Sequence, residues 1–383
     1  MTPTAELESL SEGCGGYVRV DLNALDGNYR LLCQQAHPHP VAAVVKADAY
    51  GLGVEPVSRV LYAAGCRHFF VAHASEAFAL RPNLPEDAAL YVLNGLLPGS
   101  EAFCADQGII PVLNGLDQVV RWAHIANARF MRLPAVLQID TGMSRLGISP
   151  EDIDTVKATP EVSEAIDICL IMSHLACADT PDNPANARQL AQMRKMADLF
   201  PDVPLSFVNS SGLFLPAAFR LGLARPGVAL YGGSPNLSLP NPMQAVVSLH
   251  VGVIQTRSVK AGTEIGYGGT FVAEKPMRLA TIAAGYADGL PRSLSNRGAA
   301  WFDGVRLPIV GRVSMDSIII DISALPEGAL SLGSFVELIG PQQSLDAIAA
   351  DAGTISYEIL TSLGRRFHRQ YLPVSQTLSE NMP

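Results

Sequence analysis

Eight short apolar runs recur at fairly even intervals along the amino-terminal part of the chain. Runs this short, and this rich in aliphatic residues, are typical of strands buried on both faces of a parallel sheet. They are VAAVVKA (41–47), HFFVAH (68–73), LYVLNG (90–95), IIPVLNG (109–115), AVLQID (135–140), DICLIMSHLA (167–176), LSFVNSS (205–211) and VALYG (228–232). Because most of them alternate with helical segments over roughly 230 residues, they predict an α/β fold of the (β/α)8, TIM-like barrel type.

The segments between the runs support this barrel. Apolar residues have helical spacing in 22–35, 54–64, 116–128 and 183–200, and 212–222 is a weaker helical candidate. An open, doubly wound sheet is the alternative architecture. Such sheets usually carry a G-x-G-x-x-G turn after their first strand, and this chain lacks one. The pattern therefore favours the barrel.

The composition changes near residue 235. Residues 234–244 hold three prolines and two serines, as expected of a linker. Short strand-like runs separated by glycine and proline follow, at 246–256, 278–284, 307–313, 317–323 and 334–340. We therefore expect a barrel domain over residues 1–240 and a mainly β domain over 241–383, with the first ~10 residues able to pack with the β domain.

Charge and cysteine content narrow the classes of partner and compartment. The formal net charge is −9 and there is no basic stripe, which argues against nucleic acid. The six cysteines form no C-x-x-C pair, so we expect neither a disulfide framework nor a zinc site, and a reducing cytoplasm suits them. The acidic amino terminus and the lack of a run of ~18 apolar residues predict neither a secretion signal nor a membrane span.

Lys46 closes the first run, at the strand end where parallel α/β folds carry their chemistry. Apolar surroundings disfavour the charged form of a lysine, and an uncharged amine can form a Schiff base with an aldehyde. An isolated lysine at a strand end is more often simply solvated. The following loop, with two glycines and a tyrosine, favours the functional interpretation.

Polar side chains also follow the other runs. Taken singly, each of them could have a purely structural role: a histidine is often a hydrogen-bonded core residue, serine or asparagine often caps a helix, and arginine often forms an ion pair. Gly227, after Pro226, could leave N–H groups open to an anion. Together these residues predict a polar barrel mouth that holds a lysine-bound, phosphorylated cofactor and no metal. They are 140–145, His174, Asn209, Ser210, Ser211, Arg225 and Gly227.

Seven motifs then carry a resemblance to the alanine racemases, which are pyridoxal 5'-phosphate enzymes built on a barrel and a β domain. In family order they are VVKADAYGLG (44–53), TGMSRLG (141–147), SHLA (173–176), ARPGVALYG (224–232), IGYGGT (265–270), GYADG (285–289) and GRVSMD (311–316). The first and fourth are specific for the family, whereas GYADG alone would be weak. The match spans residues 41–316.

The resemblance implies that L-alanine and D-alanine are interconverted through an external aldimine with two bases, Lys46 and Tyr267. In the family, the tyrosine comes from the other subunit of a head-to-tail homodimer. The product serves peptidoglycan supply, or D-alanine is broken down. Cofactor binding is implied at Lys46, Tyr50, Arg145, His174, Asn209, Ser210, Arg225, Gly227, Val228 and Tyr357, and substrate binding at Arg145, Tyr286, Met315 and Asp316.

Three of these residues have specific roles by resemblance. Arg225 matches the arginine at the pyridine nitrogen, His174 lies between it and the tyrosine base, and Arg145 matches the arginine at the phenolic oxygen. Many members have a lysine, often carbamylated, where this chain has Gln138. A neutral amide can hydrogen-bond Arg145 but supplies no negative charge, so we expect no carbamate here.

Three other functions compete with this one. An amino-acid decarboxylase shares the lysine and cofactor but usually places a carboxylate at the pyridine nitrogen, which Arg225 and Tyr267 argue against. A racemase of broader range, or one for serine, is the second alternative. The third is a non-catalytic pyridoxal-phosphate carrier. Known carriers resemble the barrel alone, whereas this chain has both domains.

Overall fold

The computed structural model describes residues 13–159 and 164–374. Within these residues the chain divides into two compact units, each described by itself. The barrel unit comprises 26–159, 164–230 and 234–242, and the β unit comprises 13–25, 231–233 and 243–374. The segment predicted to pack with the β domain lies outside the described residues, and the domain boundary at residue 240 stays a prediction.

The secondary structure is numbered in chain order. The strands are β1 (Gly16–Asp21), β2 (Ala43–Val44), β3 (His68–Val71), β4 (Ala89–Val92), β5 (Ile110–Leu113), β6 (Leu133–Gln138), β7 (Ile166–Met172), β8 (Leu205–Ser206), β9 (Val247–Val259), β10 (Glu264–Ile265), β11 (Phe271–Val272), β12 (Met277–Ile282), β13 (Ala299–Phe302), β14 (Val305–Pro308), β15 (Ile318–Asp321), β16 (Phe335–Ile339) and β17 (His368–Leu372). The α-helices are α1 (Leu22–Ala36), α2 (Val54–Ala63), α3 (Ala74–Leu80), α4 (Glu101–Asp106), α5 (Leu116–Ala128), α6 (Ile153–Ala158), α7 (Pro184–Ala197), α8 (Leu345–Ala352) and α9 (Ser356–Ser362).

The barrel unit is organised around a parallel sheet of strands β2 to β8, which pair in chain order. Val112 lies beside Val136, and Leu137 lies beside Ile171, in matching register. Most residues of these strands are apolar and buried on both faces, as the continuous apolar runs predicted; the start of β7, with the exposed Asp167, is the clearest exception. The predicted helices at 22–35, 54–64, 116–128 and 183–200 are confirmed as α1, α2, α5 and α7.

The eighth strand is not where the sequence predicted it. Val228–Tyr231 form a 3₁₀ turn instead of a strand over 228–232. The barrel closes through residues 223–226, one of whose amides donates to Leu205 O and one of whose carbonyls accepts from Ala42 N–H, both at 2.8 Å. The closing segment contains a proline and follows a glycine. Because both residues are unusual inside strands, its sequence did not predict that it would pair like a strand.

The weak helical candidate at 212–222 is also different from a regular helix. It forms two 3₁₀ turns, Gly212–Phe214 and Ala217–Phe219.

The clearer helix α7 begins as its sequence predicts: Asn183 Oδ1 accepts from Ala185 N–H at 2.9 Å, and a proline occupies the first turn.

The β unit is built around the long strand β9. Strand β1 pairs antiparallel with β9 and parallel with β17, while β12 and β16 also pair antiparallel with β9. Four of the five predicted runs of this part of the chain are confirmed as β9, β12, β15 and β16. The run at 307–313 overlaps β14 only at residues 307 and 308, because the strand ends at Pro308. The helices α8 and α9 were not predicted.

Each unit has its own apolar core. In the barrel unit, Phe69, Phe70 and Leu90 are fully buried; in the β unit, Met277 and Val310 belong to one buried cluster. Burying one such side chain stabilises the fold by roughly 1.5–3 kcal/mol. Over 13–159 and 164–374, we find no helix with the length and apolar character needed to cross a membrane.

Candidate active site

Lys46 follows β2 at the carboxyl end of that strand, where the sequence placed it. The chain then makes a left-handed turn over residues 47–50, whose φ angles lie between 53° and 57°. A left-handed conformation costs roughly 1–2 kcal/mol for each non-glycine residue. The turn therefore depends on contacts from its surroundings.

Both local and long-range hydrogen bonds hold this turn. Ala49 N–H donates to Val45 O at 2.9 Å, and Val54 N–H donates to Asp48 Oδ1 at 2.8 Å. Ala47 N–H donates to a side chain from outside the turn, the carboxylate of Glu76, at 2.6 Å. The result is a rigid connection between Lys46 and the buried Tyr50.

The amine of Lys46 is easier to deprotonate than that of an ordinary lysine. Burial is the largest cause of its lowered pKa, and the positive charge of Arg145 lowers this pKa further. The negative charge of Glu76 acts in the opposite direction. This is the environment that we expected for an imine-forming lysine.

Arg225 lies in the closing segment 223–226 and is 4% exposed. Its Nη2 donates to Ser173 O at 2.7 Å, and its Nη1 donates to Ser206 Oγ. Burial lowers the pKa of Arg225 to about 9, so the guanidinium remains charged near neutral pH. The barrel therefore contains a buried, permanent cation that can only donate hydrogen bonds.

His174 lies beside this cation, with Nδ1 at 3.4 Å from Arg225 Nη2. Burial lowers the pKa of His174 to about 3, and the positive charges of Arg225, Arg145 and Lys46 add to this effect. His174 is consequently a neutral imidazole, and Arg225 acts on it through a hydrogen bond and its field.

This shift predicts acid sensitivity. We expect the free energy of unfolding to fall below about pH 6.5, because unfolded histidine gains a proton that folded His174 excludes. Above that pH the free energy of unfolding has its full value, because His174 is neutral in both states. It decreases as the pH falls toward about 3, the pKa of His174 in the folded protein. At about pH 5 the loss is roughly 2 kcal/mol. In His174→Gln this loss of unfolding free energy between about pH 7 and pH 5 should disappear, as measured by urea unfolding at both pH values. The exposed His124 provides the control, His124→Gln; equal behaviour of both variants would contradict this assignment.

An amide on α7 fastens the loop that carries His174. Gln189 Nε2 donates to His174 O at 2.9 Å and to Thr141 Oγ1 at 3.2 Å, and its Oε1 accepts from Ala176 N–H at 2.9 Å. Thr141 Oγ1 also lies 2.8 Å from Ser173 Oγ. The buried Gln189 thus joins the loop after β6 to the loop after β7.

Gly227, Ser210 and Tyr50 form a tight cluster, which we call the cradle. Ser210 Oγ accepts from Gly227 N–H at 2.9 Å and from Ala229 N–H at 3.3 Å. A Cβ at residue 227 would lie 2.2 Å from Tyr50 Oη, so only glycine lets the phenol approach so closely. The expectation that Gly227 leaves its N–H open is wrong here, because Ser210 accepts it. Val228 follows, buried, in the 3₁₀ turn.

The loop before Arg145 is shaped by Asp140. Asp140 Oδ1 accepts from the N–H groups of residues 142, 143 and 144 at 2.9, 2.9 and 3.2 Å. Burial tends to raise the pKa of this carboxyl, but these backbone donors outweigh it and the pKa is lowered. Asp140 therefore organises the backbone that leads to the exposed Arg145.

Two neighbouring amides bind backbone rather than charged groups. Gln138 Nε2 donates to Leu146 O at 3.2 Å, so it secures the chain next to Arg145. Asn209 Oδ1 accepts from Gly212 N–H at 2.9 Å, so it secures the backbone that enters the next 3₁₀ turn.

In the β unit, Tyr267 begins the 3₁₀ turn Tyr267–Gly269 and is 72% exposed. Gly268 has φ of 71°, and a Cβ there would lie 2.9 Å from Arg312 Nη1. The turn thus lies against the GRVSMD segment. The phenol is presented to its surroundings by a glycine-dependent turn.

Backbone hydrogen bonds also join the GYADG and GRVSMD motifs. Tyr286 N–H donates to Ser314 O and Ala287 N–H donates to Met315 O, both at 3.0 Å. Tyr286 and Met315 are 45% and 52% exposed. The predicted substrate residues of this unit therefore lie together on one surface of it.

Arg366 fastens these motifs through two carboxylates. Its Nη1 donates to Asp316 Oδ1 at 2.7 Å, and its Nε and Nη2 donate to the two oxygens of Asp288 at 2.7 and 2.8 Å. Hydrogen bonds to Asp288 and Asp316 raise the pKa of Arg366. Tyr357, the remaining candidate of the β unit, lies in the first turn of α9.

Sequence reasoning missed three residues that support these clusters: Glu76, Gln189 and Arg366. Glu76 lies in the first turn of α3, so the only signal in the sequence was an acid near a helix start. For Gln189 and Arg366 the chain offers no local signal, because their partners are distant in sequence.

Comparisons with known proteins cover both units. The family described as "Alanine racemase, N-terminal domain" matches residues 20–235, and "Alanine racemase, C-terminal domain" matches residues 246–371. "Alanine racemase, catabolic" from Agrobacterium fabrum is 59% identical over 360 residues, covering 94% of this chain and 93% of that protein. "Alanine racemase" from Brucella canis is 53% identical over 374 residues, covering 94% of each.

A solved structure is also similar. The alanine racemase from Bartonella henselae, described with covalently bound pyridoxal phosphate, superposes with a TM-score of 0.90 at 43% identity. The alignment covers 94% of this chain and 99% of that chain. Sequence families, curated relatives and fold agree over nearly the whole length, and the chain belongs to the alanine racemase family.

Proposed function

We propose that this chain is a pyridoxal 5'-phosphate-dependent racemase that interconverts L-alanine and D-alanine with two bases, Lys46 and Tyr267. The observation that carries this proposal is the amine of Lys46, which lies at a strand end among cations and has a lowered pKa. The cradle lies in the same unit. The Bartonella relative, described with the cofactor covalently bound, supports the same assignment.

The residues of the barrel unit fit this cofactor. Ser210 accepts from two backbone N–H groups and can still donate its own hydroxyl proton to the phosphate, and Gly227 places no side chain against the Tyr50 hydroxyl. Val228, and Tyr357 of the β unit, are further candidates for that group. Arg225 can donate to the pyridine nitrogen because a guanidinium has five N–H groups, and its contacts with Ser173, Ser206 and His174 use three of them. When bound, pyridoxal phosphate supplies a π-system that stabilises negative charge on the substrate's Cα.

Racemisation requires that the Cα proton leave from one face and return to the other. Lys46 Nζ holds the proton on one face, and the lowered pKa of Lys46 suits it to be a base near neutral pH. Tyr267 Oη holds it on the other, and its 72% exposure leaves the phenol accessible from outside its own unit. Arg145, Tyr286, Met315 and Asp316 bind the substrate.

The most direct test measures D-alanine formed from L-alanine by purified protein with added pyridoxal phosphate, followed by optical rotation. Serine is assayed in parallel. Racemisation of alanine well above serine supports the proposal, whereas comparable rates favour a broader or serine racemase. Protein that binds the cofactor but leaves both amino acids unchanged is a carrier.

We also propose a head-to-tail homodimer in which Tyr267 of one subunit meets Lys46 of the other. Mixing inactive Lys46→Ala and Tyr267→Phe chains tests this arrangement. Random pairing should restore about a quarter of the normal activity, because half of the dimers then contain one intact site. No recovery after verified subunit exchange would place both bases in one chain.

The biological role is a separate proposal. The Agrobacterium relative is named a catabolic enzyme, which favours breakdown of D-alanine over its supply for peptidoglycan. Deleting the gene in its host tests this: growth without added D-alanine supports breakdown, and dependence on D-alanine supports supply.

The six free cysteines support a cytoplasmic location.

Arg225 gives a prediction about reaction specificity. Arg225→Glu should raise the pyruvate formed per racemisation event, because a carboxylate favours a protonated pyridine nitrogen and a guanidinium does not. A stronger electron sink increases charge at the ring carbon whose protonation leads to transamination. The measurement compares pyruvate and D-alanine from the same reaction. An unchanged ratio would remove this role from Arg225.

A further inference from the structure

Glu76 has a contact that helix capping alone does not require. Its Oε2 accepts from Ala72 N–H at 2.7 Å and from His73 N–H at 2.9 Å, at the junction of β3 and α3. Its Oε1 reaches across to a neighbouring strand end and accepts from Ala47 N–H at 2.6 Å. The first two bonds cap α3, whereas the third secures the residue directly after Lys46.

That third bond acts on the left-handed turn over residues 47–50. None of these residues is a glycine, so the turn is unfavourable without outside support. Asp48 and Ala49 bond within the local segment, to Val54 and Val45. Glu76 instead connects the turn to another strand of the sheet, so it fixes the turn relative to the barrel.

We propose that Glu76 is a positioning residue for Lys46, one that holds the turn after the lysine and brings one negative charge near its amine. The charges acting on that amine are Arg145, which opposes its protonation, and Glu76, which favours it. Glu76 thus limits how far the site's positive charge depresses the basicity of Lys46. The inference deepens the proposed function, since it rests on Lys46 being the reactive amine.

Three variants separate the hydrogen bond from the charge. Glu76→Gln removes the charge and keeps an acceptor, Glu76→Ala removes both, and Glu76→Asp restores the charge on a shorter side chain. The matched control is Glu101→Gln. Glu101 is another carboxylate in the first turn of a barrel helix, and it accepts from Gly99 N–H at 2.7 Å and pairs with Arg121.

The first measurement is amide hydrogen exchange in the full chain, with and without pyridoxal phosphate. Exchange over residues 47–50 should become about five- to tenfold faster in Glu76→Ala, as expected when one hydrogen bond to the turn is lost. Glu76→Gln should show a smaller change. Glu101→Gln should leave this segment unaffected.

The second measurement is the titration of Lys46 in cofactor-free full chain labelled with 13C at lysine Cε. The chain has only five lysines, and Lys46→Arg assigns the resonance. Glu76→Gln and Glu76→Ala should titrate at lower pH than the unaltered chain, and Glu76→Asp should lie closer to it. Glu101→Gln should not shift the titration.

The outcomes are decisive in both directions. If Glu76→Gln and Glu76→Ala match Glu101→Gln in both measurements, Glu76 only caps α3 and the inference is wrong. Should Glu76→Ala fail to fold, Glu76→Gln and Glu76→Asp still provide the titration. If the Glu76 effects appear while the unaltered chain does not racemise alanine, the positioning role stands and the proposed function fails.

Discussion

Replacing Lys46 with alanine should lower alanine racemisation by at least ~10³-fold, because the variant loses both the amine that binds the cofactor and one of the two bases. The visible absorbance of bound pyridoxal phosphate should change with it, since no covalent link to the chain can form. Lys46 follows the buried strand β2, and truncation to alanine leaves the backbone bond from Ala47 to Glu76 in place. The fold should therefore survive.

The control for this experiment is Lys195→Ala, at an exposed position of the long helix α7. It should retain activity and absorbance. Both variants should have similar circular dichroism. Substantial activity in Lys46→Ala, after dialysis into an amine-free buffer, would show that another residue binds the cofactor and would overturn the assignment.

Replacing Tyr267 with phenylalanine should lower racemisation by ~10²–10⁴-fold, the usual contribution of a general acid–base group. The ring is retained and only the hydroxyl is lost, so the exposed, glycine-dependent turn should keep its conformation. Exchange of the substrate's Cα hydrogen for deuterium, measured in deuterated water, tests the two bases independently. The alanine enantiomer whose Cα hydrogen faces Lys46 should still exchange in Tyr267→Phe, whereas the other enantiomer should not.

Tyr62→Phe is the matched control, because Tyr62 Oη donates to Asp87 at 2.6 Å and plays no part in the proposed site. Its activity should remain normal. If Tyr267→Phe slowed exchange equally for both enantiomers, Tyr267 would act on binding or positioning and not as a base for one face. Normal racemisation by Tyr267→Phe would exclude the two-base proposal.

Much of the barrel could be predicted from local patterns. A short β-branched run has few alternatives when it must be buried on both faces, so the positions of β3 to β7 follow from the sequence. Lys46 stands out because it ends such a run. Four of the five runs of the β unit were also correct, because alternation and glycine or proline boundaries are local signals.

The eighth strand shows where local patterns fail. VALYG is more strand-like than the segment before it, yet Val228–Tyr231 form a 3₁₀ turn and residues 223–226 close the barrel. Closure depends on which backbone groups remain available at the two sheet edges, Leu205 and Ala42. That availability is a property of the assembled sheet and cannot be read from one segment.

The residues of the candidate site could be predicted in part from the sequence, whereas the contacts that hold them could not. Lys46 and Arg225 were candidates because of their positions beside predicted strands, and the motifs added Tyr50 and Tyr267; the assigned roles of all four remain predictions. The pairing of Glu76 with Ala47, and of Gln189 with the loop of His174, had no comparable signal. Each bond joins residues from separate strands or helices, and a glutamate or glutamine on a helix is usually only a solvated side chain.

By itself, the sequence determined the order of strands β2 to β8, the helices α1, α2, α5 and α7, the family and the chemical type of each reactive side chain, because these depend on short-range patterns and residue identity. Only the tertiary structure decided that residues 47–50, with no glycine among them, adopt a left-handed turn, and that His174 is held neutral beside Arg225. Both features require long-range contacts and burial to offset a local cost, and such contacts exist only once the barrel has closed.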